Sequence, residues 1–234
     1  MKLSEIQKQV RQLGDKAIAA HSQRFFKTGR GEYGEGDQFL GIRVPVLRKL
    51  AKQNKALPFE VVSQLLFSAY HEERLLCLLM LVLQFSKGDA QQQQTIYRFY
   101  LKHTKFINNW DLVDTSAEHI VGAYLLDRSR KPLYKLARSK MLWERRIAIL
   151  STYHYIKKNE FDETLKIAEI LRHDPEDLIQ KAVGWMLREV GKRQLDLEEG
   201  FLKQHYQQLP RTMLRYATEK FPPEKRKAYL AGTA

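Results

Sequence analysis

The sequence contains one cysteine, Cys77, in 234 residues. That excludes a disulfide framework and a thiolate metal centre. Cys77 lies within the longest apolar run, Leu75 to Leu83. The run is nine residues long, well short of the roughly 20 that a membrane-spanning helix requires. Cys77 therefore reads as a small buried hydrophobe and not as a nucleophile. The seven histidines are scattered, with no HxxxH or HExxH pair, so no metal site is expected. The N-terminal stretch Met1-Lys2-Leu3-Ser4-Glu5-Ile6-Gln7-Lys8 has no apolar core and does not read as a signal peptide. A soluble cytoplasmic protein with no cofactor is expected. Valine is also scarce: 10 Val stand against 32 Leu, and no segment alternates apolar and polar residues as a strand would.

Helix formers fill the space these absences leave. Helical periodicity runs the length of the chain, and its breaks are short: Lys87-Gly88-Asp89, Asp127 to Pro132, Lys157 to Glu160, His173-Asp174-Pro175, Gly191 to Asp196, and Pro222-Pro223. In Asp174-Pro175-Glu176-Asp177 the order of residues predicts a helix start, with Asp174 as the cap and Pro175 in the first helical position. No break is long enough for a domain linker, so one all-α domain over residues 1–234 is expected. Glu73-Arg74-Leu75, Arg145-Arg146-Ile147 and Gln180-Lys181-Ala182 recur at spacings that fit a unit of about 36 residues, with one slot unmatched near Asn109 to Asp114. Gly122 and Gly191 lie about two such units apart. Helix pairs at this period predict a HEAT-like solenoid with a concave basic groove. The 40 Lys and Arg exceed the 27 Asp and Glu by 13, and such an excess suits a polyanionic partner.

Several motifs were weighed for chemistry. Gly29-Arg30-Gly31-Glu32-Tyr33-Gly34 spells GxGxxG, but it follows a helical stretch and carries Glu32, Glu35 and Asp37, which would repel phosphate. It reads as a connecting loop, and no nucleotide cofactor is expected. In the helix over 177–192, Ile179, Val183, Met186, Leu187 and Val190 form the core stripe, whereas Lys181, Arg188 and Lys192 share the opposite face with Trp185 beside them. Trp185 is either an inter-repeat contact or a ring presented in a basic groove. Trp110 and Asp114 are one helical turn apart. Asn108 or Asn109 can cap their helix, and Asp111 sits in the first turn, where the dipole accounts for it. Asp114 lies beyond that explanation, as an ion-pair partner or a poised charge, with Asp111 and Glu118 as rival carboxylates. Ten basic residues between Arg128 and Lys158, with Glu144 the only acid, read as a solvated face or a phosphate-gripping strip. Arg146 is set apart by falling on an apolar side of its helix, four and seven residues before Leu150 and Tyr153.

Four segments in order carry a resemblance: Phe39-Leu40-Gly41-Ile42-Arg43-Val44-Pro45, Trp110-Asp111-Leu112-Val113-Asp114, Trp143-Glu144-Arg145-Arg146-Ile147-Ala148-Ile149-Leu150, and Ile179-Gln180-Lys181-Ala182-Val183-Gly184-Trp185-Met186-Leu187-Arg188-Glu189. Together they resemble the AlkD-type DNA alkylation repair glycosylases, a HEAT-like repeat family, from roughly Phe25 to the C-terminus. The Gly29 to Gly36 insert departs from the shorter loop of some members. The resemblance implies a catalytic Asp114, groove tryptophans Trp110 and Trp185, and DNA-contacting Arg146 and Arg188, with Lys181, Arg145 and Arg43 added as basic neighbours. It also implies a monomeric, metal-free glycosylase that excises cationic 3-alkyladenine and 7-alkylguanine from double-stranded DNA without extruding the base. The alternative reading is a non-catalytic HEAT module that binds nucleic acid or an acidic protein.

Overall fold

The computed structural model describes residues 2–234. Among these the chain is helix and turn throughout, with one isolated β-bridge between Gln38 and Tyr70. No helix is long and apolar enough to cross a membrane. The chain divides into two compact units at Ile120/Val121, inside the π-helical turn Glu118–Gly122.

The first unit holds α1 (Leu3–Gln12), α2 (Lys16–Phe25), α3 (Val44–Gln53), α4 (Phe59–Gln64), α5 (His71–Lys87), α6 (Ala90–Lys102) and α7 (Trp110–Asp114). α5 is its core, packed by α1, α3, α4, α6 and α7. Leu75, Leu76, Leu78, Met80 and Leu81 are fully or almost fully buried, each contributing about 1.5–3 kcal/mol. Cys77 lies among them, and burial pushes its thiol pKa far above the ordinary value, as expected of an inert core residue.

Four charged residues precede that apolar run, and all four are buried. His71 meets Asp37 and Asp111. Glu72 accepts three backbone N–H groups, from Leu40, Gly41 and Ile42, at 2.8–3.2 Å. Glu73 accepts from Arg11 and Gln7 of α1. Arg74 donates to the Ser68 and Ala69 carbonyls and pairs with Asp37. One helical turn thus ties four segments to the core. Gly41 is required where Glu72 grips the chain, because its φ is +82° and a Cβ there would lie 2.0 Å from the Asp15 carbonyl.

The second unit holds α8 (Ala123–Leu125), α9 (Lys131–Ala137), α10 (Leu142–Ser151), α11 (Tyr153–Ile156), α12 (Asp162–Leu171), α13 (Asp177–Gly191), α14 (Leu195–His205), α15 (Arg211–Ala217) and α16 (Pro223–Ala231). α13 is its core, and the stripe Ile179, Val183, Met186, Leu187 and Val190 is buried as the periodicity requires. A Cβ on Gly184 would come within 2.4 Å of the Met213 carbonyl, so the bare glycine lets α15 lie directly on α13. The helix begins at Asp177, two residues after the predicted first helical position. Asp174 is not its cap: it accepts the Glu176 N–H and pairs with Arg145 at 2.6 Å.

The internal repeat has a physical signature. α5, α7, α10 and α13 begin at residues 71, 110, 142 and 177. In three of them the fourth residue reaches back to the carbonyls six and five positions earlier. Arg74 donates to Ser68 and Ala69, Arg145 to Ser139 and Lys140, and Gln180 to Asp174 and Pro175. The matching residues are therefore Arg74, Arg145 and Gln180, one position before Arg146 and Lys181 of the predicted register. α7 lacks the device and has Val113 at that place, so its slot went unmatched in the sequence.

Glu198 of α14 is 2% exposed. Burial, reinforced by the charge of Glu199 and opposed by Arg188, pushes its pKa up to about 8. The folded state holds this proton more tightly than the unfolded chain, so the stability it brings is complete below the ordinary carboxylate range and is lost as pH rises through 8. Glu198→Gln is expected to raise the melting temperature by several degrees at pH 8.5 and to leave it unchanged near pH 4, as thermal unfolding at the two pH values will show.

Candidate active site

α7 is five residues long, and its place is set by partners more than by its own hydrogen bonds. Asn109 caps it, its side chain accepting the Trp110 N–H at 2.8 Å. The half-buried Trp110 indole stacks on Phe26, with ring centroids 5.3 Å apart and planes at 18°, and Phe25 meets it edge-on at 6.0 Å. Phe26 in turn stacks on Phe39 at 5.0 Å, and Phe39 on His71 at 4.6 Å. Phe26 also meets His71 directly at 5.1 Å, so Trp110 is the outer member of an aromatic cluster built against a buried histidine.

Asp114, one turn further, is half-buried and lines a cavity of about 260 Å³. Arg48 and Lys52 of α3, Thr115 and His119 provide the polar lining, and Ala51, Leu79, Val82 and Leu83 the apolar lining. Asp114 is the only carboxylate residue on that lining. Its charge also reaches Tyr100, whose phenol is pushed far above its usual pKa, chiefly by burial. Arg48 and Lys52 were not singled out in the sequence. Their i, i+4 spacing opposite Leu47, Leu50 and Ala51 was the available signal. Arg43 is exposed at the start of α3.

Asp111 differs from expectation. It is 7% exposed, and it accepts from His71 Nε2 at 2.8 Å, so it does more than complement the helix dipole. Burial would lower the His71 pKa, but Asp111 and Asp37 outweigh it, Arg74 pulls partly back, and the value rises to about 9. Asp37 is held below the ordinary carboxylate range: burial raises it, and His71, Arg74 and Asn108 more than reverse that.

In the glycine loop, Gly31 and Gly36 have positive φ. Glu32 and Glu35 accept the N–H groups of Gly29 and Gly31 at 2.8 Å. The loop spends these donors on its own carboxylates. Among the described residues, no group of three His, Cys, Asp or Glu is placed to hold a metal ion.

In the second unit, Trp185 is half-buried, with Tyr153 at 6.0 Å and its Nε1 donating to Glu189 at 3.3 Å. Glu189 is held between Lys192 and Arg193. The neighbouring cations have internal partners: Lys181 pairs with Asp177 at 2.6 Å, and Arg188 with Glu219. Arg146 is 5% exposed and donates to the Leu178 carbonyl at 2.5 Å, in keeping with its apolar position in the sequence. Arg145 engages Asp174, Ser139 and Lys140 with Nε and both terminal nitrogens. Elsewhere in the basic strip, Arg130 pairs with Glu160 and lies over Tyr155, Arg128 lies over Tyr124, and Lys157 over Tyr153. The partners of Glu219 and Tyr153, Arg188 and Trp185, come from another helix and give no signal in the sequence. Glu189 stands at i, i+3 and i, i+4 from its partners, a spacing the sequence does show.

Helices throughout the described residues and a recurring helix start define a helical-repeat protein. The model of the family described as DNA alkylation repair enzyme matches residues 6–221, and the chain belongs to that family. The structure is similar to that of a predicted DNA alkylation repair enzyme from Enterococcus faecalis, with 19% identity over 90% of this chain and 97% of that one and a TM-score of 0.68. It is also similar to AlkD2 from Streptococcus mutans, with 18% identity over 89% and 99% of the two chains and a TM-score of 0.55. No protein of curated function matches the sequence significantly.

Proposed function

We propose that this protein is a monofunctional DNA glycosylase that hydrolyses the N-glycosidic bond of cationic alkylpurines in duplex DNA and leaves an abasic site. The observation that carries the reading is Asp114, the lone carboxylate residue lining a cavity flanked by Arg48 and Lys52. Ordinary glycosidases need a second carboxyl group to protonate the leaving group. A purine alkylated at a ring nitrogen is already cationic and leaves as the neutral base, so one carboxylate suffices. As the bond between C1′ and nitrogen breaks, its electron pair goes to the base and positive charge gathers on the sugar, where Asp114 stabilises it. Water then adds to C1′ and gives up its proton through Asp114. Trp110 offers a ring face to the cationic sugar. Arg48 and Lys52 hold the flanking phosphates, and the family resemblance assigns phosphate contacts to Arg146 and Arg188 and a place in the groove wall to Trp185, with Lys181, Arg145 and Arg43 as further DNA-binding basic neighbours.

Incubation with a duplex containing 7-methylguanine, without added metal, is expected to yield alkali-labile abasic sites. With about 5 to 8 phosphate contacts, log affinity for duplex is expected to fall against log salt with a slope of roughly −4 to −7. A slope near zero with no abasic sites would contradict the reading.

A further inference from the structure

The buried His71 takes no part in the chemistry above, yet it touches Asp111 of α7 and Phe26, the ring beneath Trp110. Its Nδ1 faces Asp37 Oδ2 at 3.2 Å and its Nε2 faces Asp111 Oδ2 at 2.8 Å. A neutral imidazole has one N–H and can satisfy only one of these carboxylates, while its lone pair would confront the other. Protonation supplies both donors. The charged groups that face the ring are Asp37 from the loop before α3, Asp111 from α7 and Arg74 from its own helix, and Arg74 also holds Asp37 at 2.7 Å. One side of the ring is covered by Phe39 at 4.6 Å and Phe26 at 5.1 Å, which also pack on each other, an arrangement that favours a cation. Phe26 is the same ring on which Trp110 stacks. Asp111 directly follows Trp110 and precedes Asp114 by one turn, so the histidine grips α7 by a charge on one side and by stacked rings on the other.

We propose that His71 is a positioning residue of the Asp114 reaction: an imidazolium latch that fixes α7 against α5 and so sets the places of Trp110 and Asp114. The proposal rests on the glycosylase reading only for its effect on excision; the latch itself has an independent readout. The latch is closed at neutral pH and opens as His71 loses its proton near pH 9.

The test uses the intact protein between pH 7 and 10. The tryptophan fluorescence that is lost in Trp110→Phe is expected to titrate in the wild type with a midpoint near 9 and to be flat in His71→Asn. Single-turnover excision of 7-methylguanine by the wild type is expected to decline on the same limb. His71→Asn is expected to be about 10-fold slower at pH 7.5 and to lack the limb, while Asp114→Asn keeps the fluorescence titration intact. If His71→Asn does not fold, Asp37→Asn, which removes one of the two charges, is expected to move the midpoint down by at least half a pH unit. A wild-type Trp110 signal unchanged to pH 10, or a His71→Asn or Asp37→Asn variant that keeps the wild-type limb and midpoint, overturns the latch. Absence of excision with the fluorescence titration present overturns the glycosylase reading and leaves the latch standing.

Discussion

Asp114→Asn is expected to lower single-turnover excision of 7-methylguanine on the order of 10² to 10³-fold, equivalent to roughly 3 to 4 kcal/mol. The change is nearly isosteric and removes only the charge, so it separates electrostatic stabilisation of the sugar cation from packing. Affinity for undamaged duplex is expected to stay level or rise slightly, because a negative charge beside Arg48 and Lys52 is removed. Thermal stability is expected to change little. Asp111→Asn is not an inert comparison, because it strips a buried imidazolium of one of its two carboxylates. Glu32→Ala in the glycine loop serves better, since that carboxylate caps only its own loop, and near-wild-type excision is expected. Wild-type rates in Asp114→Asn would show that the carboxylate had been misassigned.

Glu72→Gln is expected to produce the largest loss of stability in the first unit. The carboxylate accepts three N–H groups from Leu40, Gly41 and Ile42 at a buried position. Glutamine keeps the shape but offers one acceptor oxygen and turns an amide NH₂ toward a donor. Hydrogen bonds to a charged acceptor are worth about 1.5–3 kcal/mol, and an unsatisfied buried donor adds a further penalty. A loss of roughly 2 to 4 kcal/mol follows, which for a chain of this size lowers the melting temperature by about 5 to 12 °C. Calorimetry measures it directly. An unchanged transition would mean that the three N–H groups find water when the carboxylate is removed.

The sequence revealed what depends on neighbours along the chain. Asp89 caps α6 after Gly88, as the break at 87–89 required. Arg146 is buried, in line with its position four and seven residues before Leu150 and Tyr153. Asp174 shows where such reading ends: its oxygens are drawn to Arg145, 29 residues away, and the helix it was expected to cap starts two residues later than predicted. The segment Phe39 to Pro45 was legible as a motif but not as a structure, because Glu72 lies 30 to 32 residues from the N–H groups it binds. His71, Asp37 and Asp111 are separated by 34 and 40 residues, and no local periodicity joins them. Of the charged turn His71 to Arg74, only Glu73 and Arg74 entered the sequence reading, as part of a repeat, and all four side chains are buried. For the candidate site, Trp110 and Asp114 could be picked from one helical turn, whereas Arg48 and Lys52 come from another helix and become neighbours only through the fold.

In the proposed reaction one carboxylate suffices because the leaving base already carries a positive charge. The direct measurement is chromatographic detection of free base released, under single-turnover conditions, from two duplexes that differ at one nucleotide. One contains 7-methylguanine and the other its 7-deaza analogue, which keeps the methyl group and the shape but has no cationic ring. The account predicts release of 7-methylguanine with an abasic site left behind, and no release of the deaza base although both duplexes bind equally. Release of both bases at similar rates, or of neither, would contradict it.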